Sequence, residues 1–315
     1  MTTTKHVTIG SRGSQLALWQ AHHIKAVLEQ SFPGLEVRLE IIKTMGDAIL
    51  DSPLSQIGDK GLFTKEIEHA LLQGTIDLAV HSFKDVPTQL PPGLTIGAVS
   101  KREDVRDVFI AHPAKPYRGI DDVPQGGTIA TGSLRRRAQL LHLRPDLQIV
   151  DLRGNLNTRF AKLEGSDWDG MILARAGVVR LEMGSRITET IPLDRMLPAV
   201  GQGALGLELR SDDSATAKLL APIHSEATAR ATEAERALLR YVEGGCQIPL
   251  GAHARIEEGE LAIDGVIGSL DGKKIVRAAL RGRPEEAGEI GERLAKTLVE
   301  MGGKAILDEI RKASQ

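Results

Sequence analysis

Apolar positions along the chain switch between two periods. Val7-Thr8-Ile9 reads as a short apolar strand, Gly10-Ser11-Arg12-Gly13-Ser14 as a turn, and Leu16 to Gln30 as a helix with Leu16, Leu18, Trp19, Ile24, Val27 and Leu28 on its apolar stripe. Ser14 is a natural N-cap for that helix. Pro33-Gly34 breaks it, and Leu35 to Ile42 alternates like a strand. Gly46 to Gly61 is a polar loop with no clear element of its own, a length that suggests a lid or a disordered segment. Thr64 to Leu72 is helical, and Asp77 to His81 is a buried strand running into Ser82-Phe83-Lys84-Asp85-Val86-Pro87. The plan then recurs. Thr128-Ile129-Ala130 predicts a strand, Thr131-Gly132-Ser133 a turn, Leu134 to Leu143 a helix, Leu147 to Leu152 a strand, Asn157-Thr158 the cap of a helix to Leu163, and Asp169 to Ala174 a buried strand. The shared order predicts two doubly wound α/β domains of similar plan, with ligands bound at the carboxyl ends of strands in a cleft between them.

The last part differs. Ser225 to Val242 is strongly helical and Gly244-Gly245 ends it. Gln247 to Ile256, Leu261 to Ser269 and Lys274 to Arg281 read as consecutive strands, and Pro284 to Arg311 as helix broken near Gly302-Gly303. This predicts a small α+β domain with a three-stranded antiparallel sheet. A length of 315 residues suits two or three such domains.

Composition narrows the classes. Hydrophobic residues make up 41% and charged residues 26%, as in a soluble globular protein. No stretch approaches the roughly 20 apolar residues that span a bilayer, and Met1 to Gly10 has no apolar signal core, so a cytoplasmic protein without a membrane partner is expected. A single cysteine excludes an intrachain disulfide. The net charge of −2, and five phenylalanines without a stacking pattern, argue against nucleic acid despite Ser133-Leu134-Arg135-Arg136-Arg137. His22 and His23 are adjacent on a helix, point in different directions and make no metal pair.

Arg12, Arg135, Arg136, Arg153, Arg159 and Arg180 fall at strand ends or in the first turn of the next helix. A helix N-terminus attracts anions through its free N–H groups, and arginine adds a bidentate fork. The implied ligand is a polyanion, polycarboxylate or polyphosphate. Lys84 and Asp85 follow a buried strand. The aspartate can act as a general acid or stabilise a cation, and the lysine can bind a carboxylate or form a Schiff base. Cys246 sits on a Gly-Gly turn, with no CxxC or nearby histidine to activate it. Gly201-Gln202-Gly203-Ala204-Leu205-Gly206 matches GxGxxG in letters only, because a strand-like run at Leu207 to Leu209 follows it.

Taken together, several segments resemble the porphobilinogen deaminase family. In order they are Ile9-Gly10-Ser11-Arg12 with Ser14 and Leu16-Ala17-Leu18-Trp19-Gln20; Lys60-Gly61-Leu62-Phe63; His81 to Pro87; Gly132-Ser133-Leu134-Arg135-Arg136; Leu152-Arg153-Gly154-Asn155 with Thr158-Arg159; Pro198-Ala199-Val200-Gly201-Gln202-Gly203; and Glu243-Gly244-Gly245-Cys246-Gln247-Ile248-Pro249. The resemblance implies two periplasmic-binding-protein-like domains around a cleft plus the small C-terminal domain, with residues 1–102 and 203–222 as domain 1, 103–202 as domain 2 and 223–315 as domain 3. It implies a monomeric cytoplasmic transferase that condenses four porphobilinogen molecules, with loss of four ammonia, to hydroxymethylbilane, passed on to the next tetrapyrrole enzyme. By matching position, Cys246 carries a covalent dipyrromethane cofactor and Asp85 is the catalytic carboxylate. Arg12, Ser14, Gln20, Lys60, Ser82, Lys84, Thr131, Ser133, Arg135, Arg136, Arg153, Asn155, Arg159, Arg180 and Gln202 match the residues that hold carboxylate side chains or line the cleft. The family often has two hydroxyl residues before Leu-Arg-Arg, where this chain has Gly132 and Ser133; Gln56 stands where some relatives have a lid lysine. A two-lobed carboxylate-binding protein without catalysis would share the paired plan and the arginines.

Overall fold

The computed structural model describes residues 6–48, 64–242 and 248–313. These form two compact units: residues 6–48, 64–103 and 203–229 in one, and 104–202 with 230–242 and 248–313 in the other.

The first unit is built on a five-stranded sheet. Strand β1 (His6–Ser11) leads into α1 (Gln15–Ser31), β2 (Glu36–Ile41) and one helical turn, α2 (Met45–Ala48). Helix α3 (Lys65–Leu72), β3 (Leu78–Ser82) and β4 (Leu94–Val99) follow, and the chain returns later as β10 (Leu205–Arg210) and α7 (Ser214–Leu219). The strand order is β2-β1-β3-β10-β4, with the first three parallel and β10 antiparallel to both its neighbours. Leu78 and Val80 pack with Ala21, Ile24 and Leu28 of α1, whereas Ala79 between them packs with Ile67 and Leu71 of α3. Successive strand residues point to opposite faces, so the two helices cover opposite sides of the sheet.

The second unit repeats the plan with β5 (Asp107–Ala111), β6 (Thr128–Ala130), α4 (Leu134–Leu143), β7 (Gln148–Val150), α5 (Leu156–Glu164), β8 (Gly170–Ala174), α6 (Arg175–Arg180) and the two-residue β9 (Glu189–Thr190). Its order, β7-β6-β8-β5-β9, has the same three parallel strands and the same antiparallel fourth. Val108 and Ile110 pack with Phe160 and Leu163 of α5, and Phe109 packs with Leu140 of α4. The acidic residues preceding β3 and β8 do the same work in both sheets. Asp77 accepts a hydrogen bond from Thr8 N at 2.9 Å, and Asp169 accepts one from Thr128 N at 2.7 Å.

The same unit carries a three-stranded antiparallel meander, β11 (Leu250–Glu257), β12 (Glu260–Gly268) and β13 (Ile275–Gly282). Its β11–β12 turn places Glu258 at φ +52° and Gly259 at φ +85°, the left-handed pair that a tight hairpin favours. Helices α8 (Glu226–Val242), α9 (Ala287–Leu298) and α10 (Lys304–Ala313) share its core through Ala234, Leu238, Ile290, Leu294, Leu298 and Ile306. Gly302, at φ +114°, makes the break foreseen near that position. The sheet packs on α4: Arg137 Nε donates to Leu270 O at 3.1 Å, and a Cβ at Gly272 would lie 2.3 Å from the backbone of Leu141.

The structure departs from the sequence expectations in places. Strands β4, β5 and β9 gave no legible period. The cap of α5 is Asn155, two residues earlier than Asn157, because the Asn155 side chain reaches Thr158 N at 2.9 Å. Part of the loop expected from Gly46 is the turn α2, and residues 49–61 lie outside the described residues.

Candidate functional site

In the first unit the chemistry gathers at the carboxyl end of β3. Ser82 ends the strand, and Phe83–Asp85 form a single 3-10 turn. Three contacts lock this turn. Gln20 Nε2, buried on α1, donates to Ser82 Oγ at 2.8 Å; Phe83 N donates to Ala204 O at 3.0 Å; and the buried Phe83 ring lies on Gly206 of β10, where a Cβ would come within 2.5 Å of it. The ring is walled by Val86, Val99 and Ala204. Lys84 and Asp85 project from the turn and are exposed. Arg12 is half-buried just past β1, and Ser14 caps α1 by accepting from Ala17 N at 3.4 Å.

Beneath the turn lies a buried ionisable cluster that sequence reasoning missed. His81 Nε2 is 3.0 Å from Glu208 Oε2, with both side chains inaccessible. Glu68 is buried on α3, and its burial pushes its carboxyl above the ordinary value, reinforced by the charge of Glu208. Glu208 follows the glycine-rich segment and Glu68 sits on an amphipathic helix. Nothing in their spacing marks them as neighbours.

In the second unit the arginines divide into two kinds. Ser133 caps α4, accepting from Arg136 N at 3.4 Å, and Ser133 N in turn donates to Thr131 Oγ1 at 3.3 Å. Arg135 and Arg136, in the first turn of that helix, are buried and converge on one carboxylate. Arg135 Nη1 reaches Asp107 Oδ2 at 2.6 Å, and Arg136 Nη2 reaches Asp107 Oδ1 at 2.8 Å. Gln202 Nε2 donates to the same Oδ1 at 2.9 Å and to Val105 O at 2.7 Å. Burial pushes the Asp107 carboxyl up, but the charges and hydrogen bonds of Arg135 and Arg136 more than reverse this, and it stays ionised well below the usual carboxylate range. Asp107 opens β5 and was not foreseen.

The other kind is half-buried: Arg153, Arg159 and Arg180. Arg159 Nε donates to Gly154 O at 2.8 Å, and Gly154 takes φ +108°, a value only glycine adopts freely. Asn155 caps α5, and Arg180 ends α6. Gly132 has a local reason: a Cβ there would lie 2.7 Å from Leu152 O. Cys246 and Lys60 lie outside the described residues.

These groups suit a ligand with several carboxylates. Among the described residues, Arg135 Nε, Arg136 Nε and Arg153 Nη1 are buried with no hydrogen-bond partner. Orphaned guanidinium donors are costly unless an acceptor arrives.

Comparison with known proteins agrees. The family model described as "Porphobilinogen deaminase, dipyromethane cofactor binding domain" matches residues 7–218, and that of the porphobilinogen deaminase C-terminal domain matches 229–300. The porphobilinogen deaminase of Chloroherpeton thalassium is 53% identical over 311 residues, covering 98% of both chains. That of Chlorobaculum parvum is 52% identical, covering 98% of this chain and 99% of its own. Among solved structures, the unliganded open L-cystine solute receptor of Neisseria gonorrhoeae is 14% identical with a TM-score of 0.39, covering 69% of this chain and 84% of its own.

Proposed function

This chain belongs to the porphobilinogen deaminase family, and from that premise we propose how its residues divide the work. The family is a transferase of tetrapyrrole biosynthesis that joins four porphobilinogen molecules head to tail and releases four ammonia. Its cofactor is a dipyrromethane. The reading as a carboxylate-binding protein without catalysis falls away, because the match to named deaminases covers 98% of the chain.

The donor set fits that cofactor, since the buried arginines hold unpaired N–H groups and the cofactor carries carboxylates. Cys246 is the attachment point. When bound, the dipyrromethane supplies the pyrrole α-carbon to which the first substrate unit is joined. Arg135, Arg136, Arg153, Arg159 and Arg180 take carboxylates of cofactor and substrate. Thr131, Ser133 and Asn155 shape the helix N-termini beside them, and Gln202 steadies Asp107. Arg12, Ser14, Lys60 and Lys84 supply further contacts to acetate and propionate groups.

Asp85 acts on the substrate. Loss of ammonia from the aminomethyl carbon leaves a cation delocalised over the pyrrole ring. A carboxylate hydrogen-bonded to the pyrrole N–H favours that cation over the neutral ground state and so lowers the barrier. The observation that carries this role is the turn itself. Gln20, Ala204 and Gly206 hold Ser82 and Phe83 rigidly while leaving the Asp85 carboxylate exposed. Among the described residues no group pairs with this exposed carboxylate, which leaves it free to meet a substrate N–H. Asp85→Asn keeps the shape and removes the charge. It should fold, load cofactor at least partly, and turn over about 100- to 1000-fold more slowly. Asp85→Glu should retain more activity than Asn. Ammonia release by Asn at the wild-type rate would move the role elsewhere.

No helix among the described residues is long and apolar enough to cross a membrane. A cytoplasmic monomer that hands its product to the next enzyme is our reading of location and assembly. We also read the three sheets as three domains with boundaries at 102/103, 202/203 and 222/223. Limited proteolysis would test those boundaries.

A further inference from the structure

We propose that Asp107 is a positioning residue for the carboxylate-binding arginines. It fixes both guanidiniums at once and leaves the pair one positive charge in excess. The proposal rests on the assignment of Arg135 and Arg136 to the cofactor. Asp107 is completely buried at the start of β5. One of its oxygens takes Arg135, and the other takes Arg136 and Gln202. Each guanidinium has a second anchor on the backbone: Arg135 Nη1 on Leu197 O at 2.7 Å, and Arg136 Nη1 on Ile172 O at 2.9 Å. Arg136 is held through two nitrogens, Nη1 and Nη2, and Arg135 through two bonds of Nη1, so Asp107 helps to aim the edges left over.

Two guanidiniums against one carboxylate leave one positive charge. Burial disfavours the charged form of Arg135, Asp107 favours it, and the neighbouring charge of Arg136 opposes it. Buried net charge is unfavourable until a counter-ion joins it, and the unpaired Nε atoms of Arg135 and Arg136 show where donors remain. An arriving carboxylate completes the balance. Without Asp107 the excess would be two, and neither arginine would have its aim.

The test compares Asp107→Asn, Asp107→Glu, Arg135→Lys and Arg136→Lys with wild type, all produced identically. Intact mass gives the fraction of chains carrying cofactor. Thermal unfolding is followed with sodium sulfate or with sodium chloride at matched ionic strength. Asp107→Asn should load about tenfold less cofactor. Its unfolding midpoint should rise with sulfate more than that of wild type, because two uncompensated guanidiniums take up an inorganic anion. A merely structural loss would lower stability without this anion response. Asp107→Glu keeps the charge and moves it, so it should fold, load at an intermediate level and respond to sulfate like wild type. Wild-type loading by Asn, or by Glu if Asn does not fold, overturns the proposal. If the lysine variants lose cofactor while the Asp107 variants load fully, the arginine assignment stands and the Asp107 proposal fails. If the lysine variants load fully, the arginine assignment fails and the proposal goes with it.

Discussion

Replacing Gly206 by alanine would move the Asp85 turn without touching its chemistry. A Cβ at position 206 would lie 2.5 Å from Phe83 Cδ2, 3.1 Å from Cε2 and 3.2 Å from Cγ. Ordinary carbon contacts fall at about 3.5–4.0 Å, so the shortfall is about 1 Å. The backbone at 206 is held on both sides, opposite His81 of β3 and Val99 of β4, so the ring must yield. Phe83 is the first residue of the Phe83–Asp85 turn and is itself enclosed by Val86, Val99 and Ala204. Its displacement therefore carries the turn with it. Overpacking of this kind costs about 1–3 kcal/mol of stability, and a catalytic group misplaced by about 1 Å loses on the order of 100-fold in rate. The assay is the initial rate of porphobilinogen consumption at saturation, with thermal unfolding and intact mass measured on the same preparation. Adding Phe83→Leu to Gly206→Ala removes the ring atoms in conflict and should recover part of the rate. A Gly206→Ala chain that loses stability yet keeps kcat within about twofold of wild type would refute the idea that Phe83 sets the position of Asp85.

Glu68→Gln should stabilise the protein at pH 8. Burial raises the Glu68 carboxyl, so its folded form prefers the proton, and its contribution to stability is present below the unfolded value near 4.5 and lost as pH rises through the folded one. The midpoint should rise by roughly 2–4 °C at pH 8 and by less at pH 5; an equal change at both would show that ionisation is not involved. Cys246→Ser should give the bare sequence mass, whereas active wild type should exceed it by two pyrrole units; an active chain of unmodified mass would remove Cys246 from the mechanism.

Much of the architecture was legible because it repeats. The strand-turn-helix pattern at Val7 and again at Thr128, and an acidic residue ahead of each buried third strand, announced two sheets of one plan. The sheets confirm it through the matching bonds of Asp77 and Asp169. Strand β5 was not legible. It is five residues long and buried on both faces, and it opens on a charged residue, so no alternation survives. That charged residue is Asp107, whose arginines come 28 and 29 positions later, and no spacing rule reaches across such a gap. The arginines were only partly legible, for a related reason. On α4 the inward face carries Arg135, Arg136, Ala138, Gln139 and Leu140, while Arg137 faces out. A reading of apolar phase alone assigns all three arginines to solvent or ligand. Only the counter-ion distinguishes them.

The segment from Gly201 to Gly206 shows how letters can be right about glycine and wrong about ligand. Gly201 at φ +71° and Gly203 at φ +92° adopt a conformation that side chains rarely allow, and a Cβ at 203 would lie 2.5 Å from Glu103 O. Gly201 N is fixed by Glu235 at 2.7 Å, and the chain continues as strand β10, where a dinucleotide site would need a helix. The glycines therefore answer to the protein's own backbone. Between and beside them, Gln202 holds Asp107, Ala204 O holds Phe83 N, and Gly206 makes room for the Phe83 ring. Six consecutive residues thus connect the arginine cluster to the Asp85 turn through covalent chain.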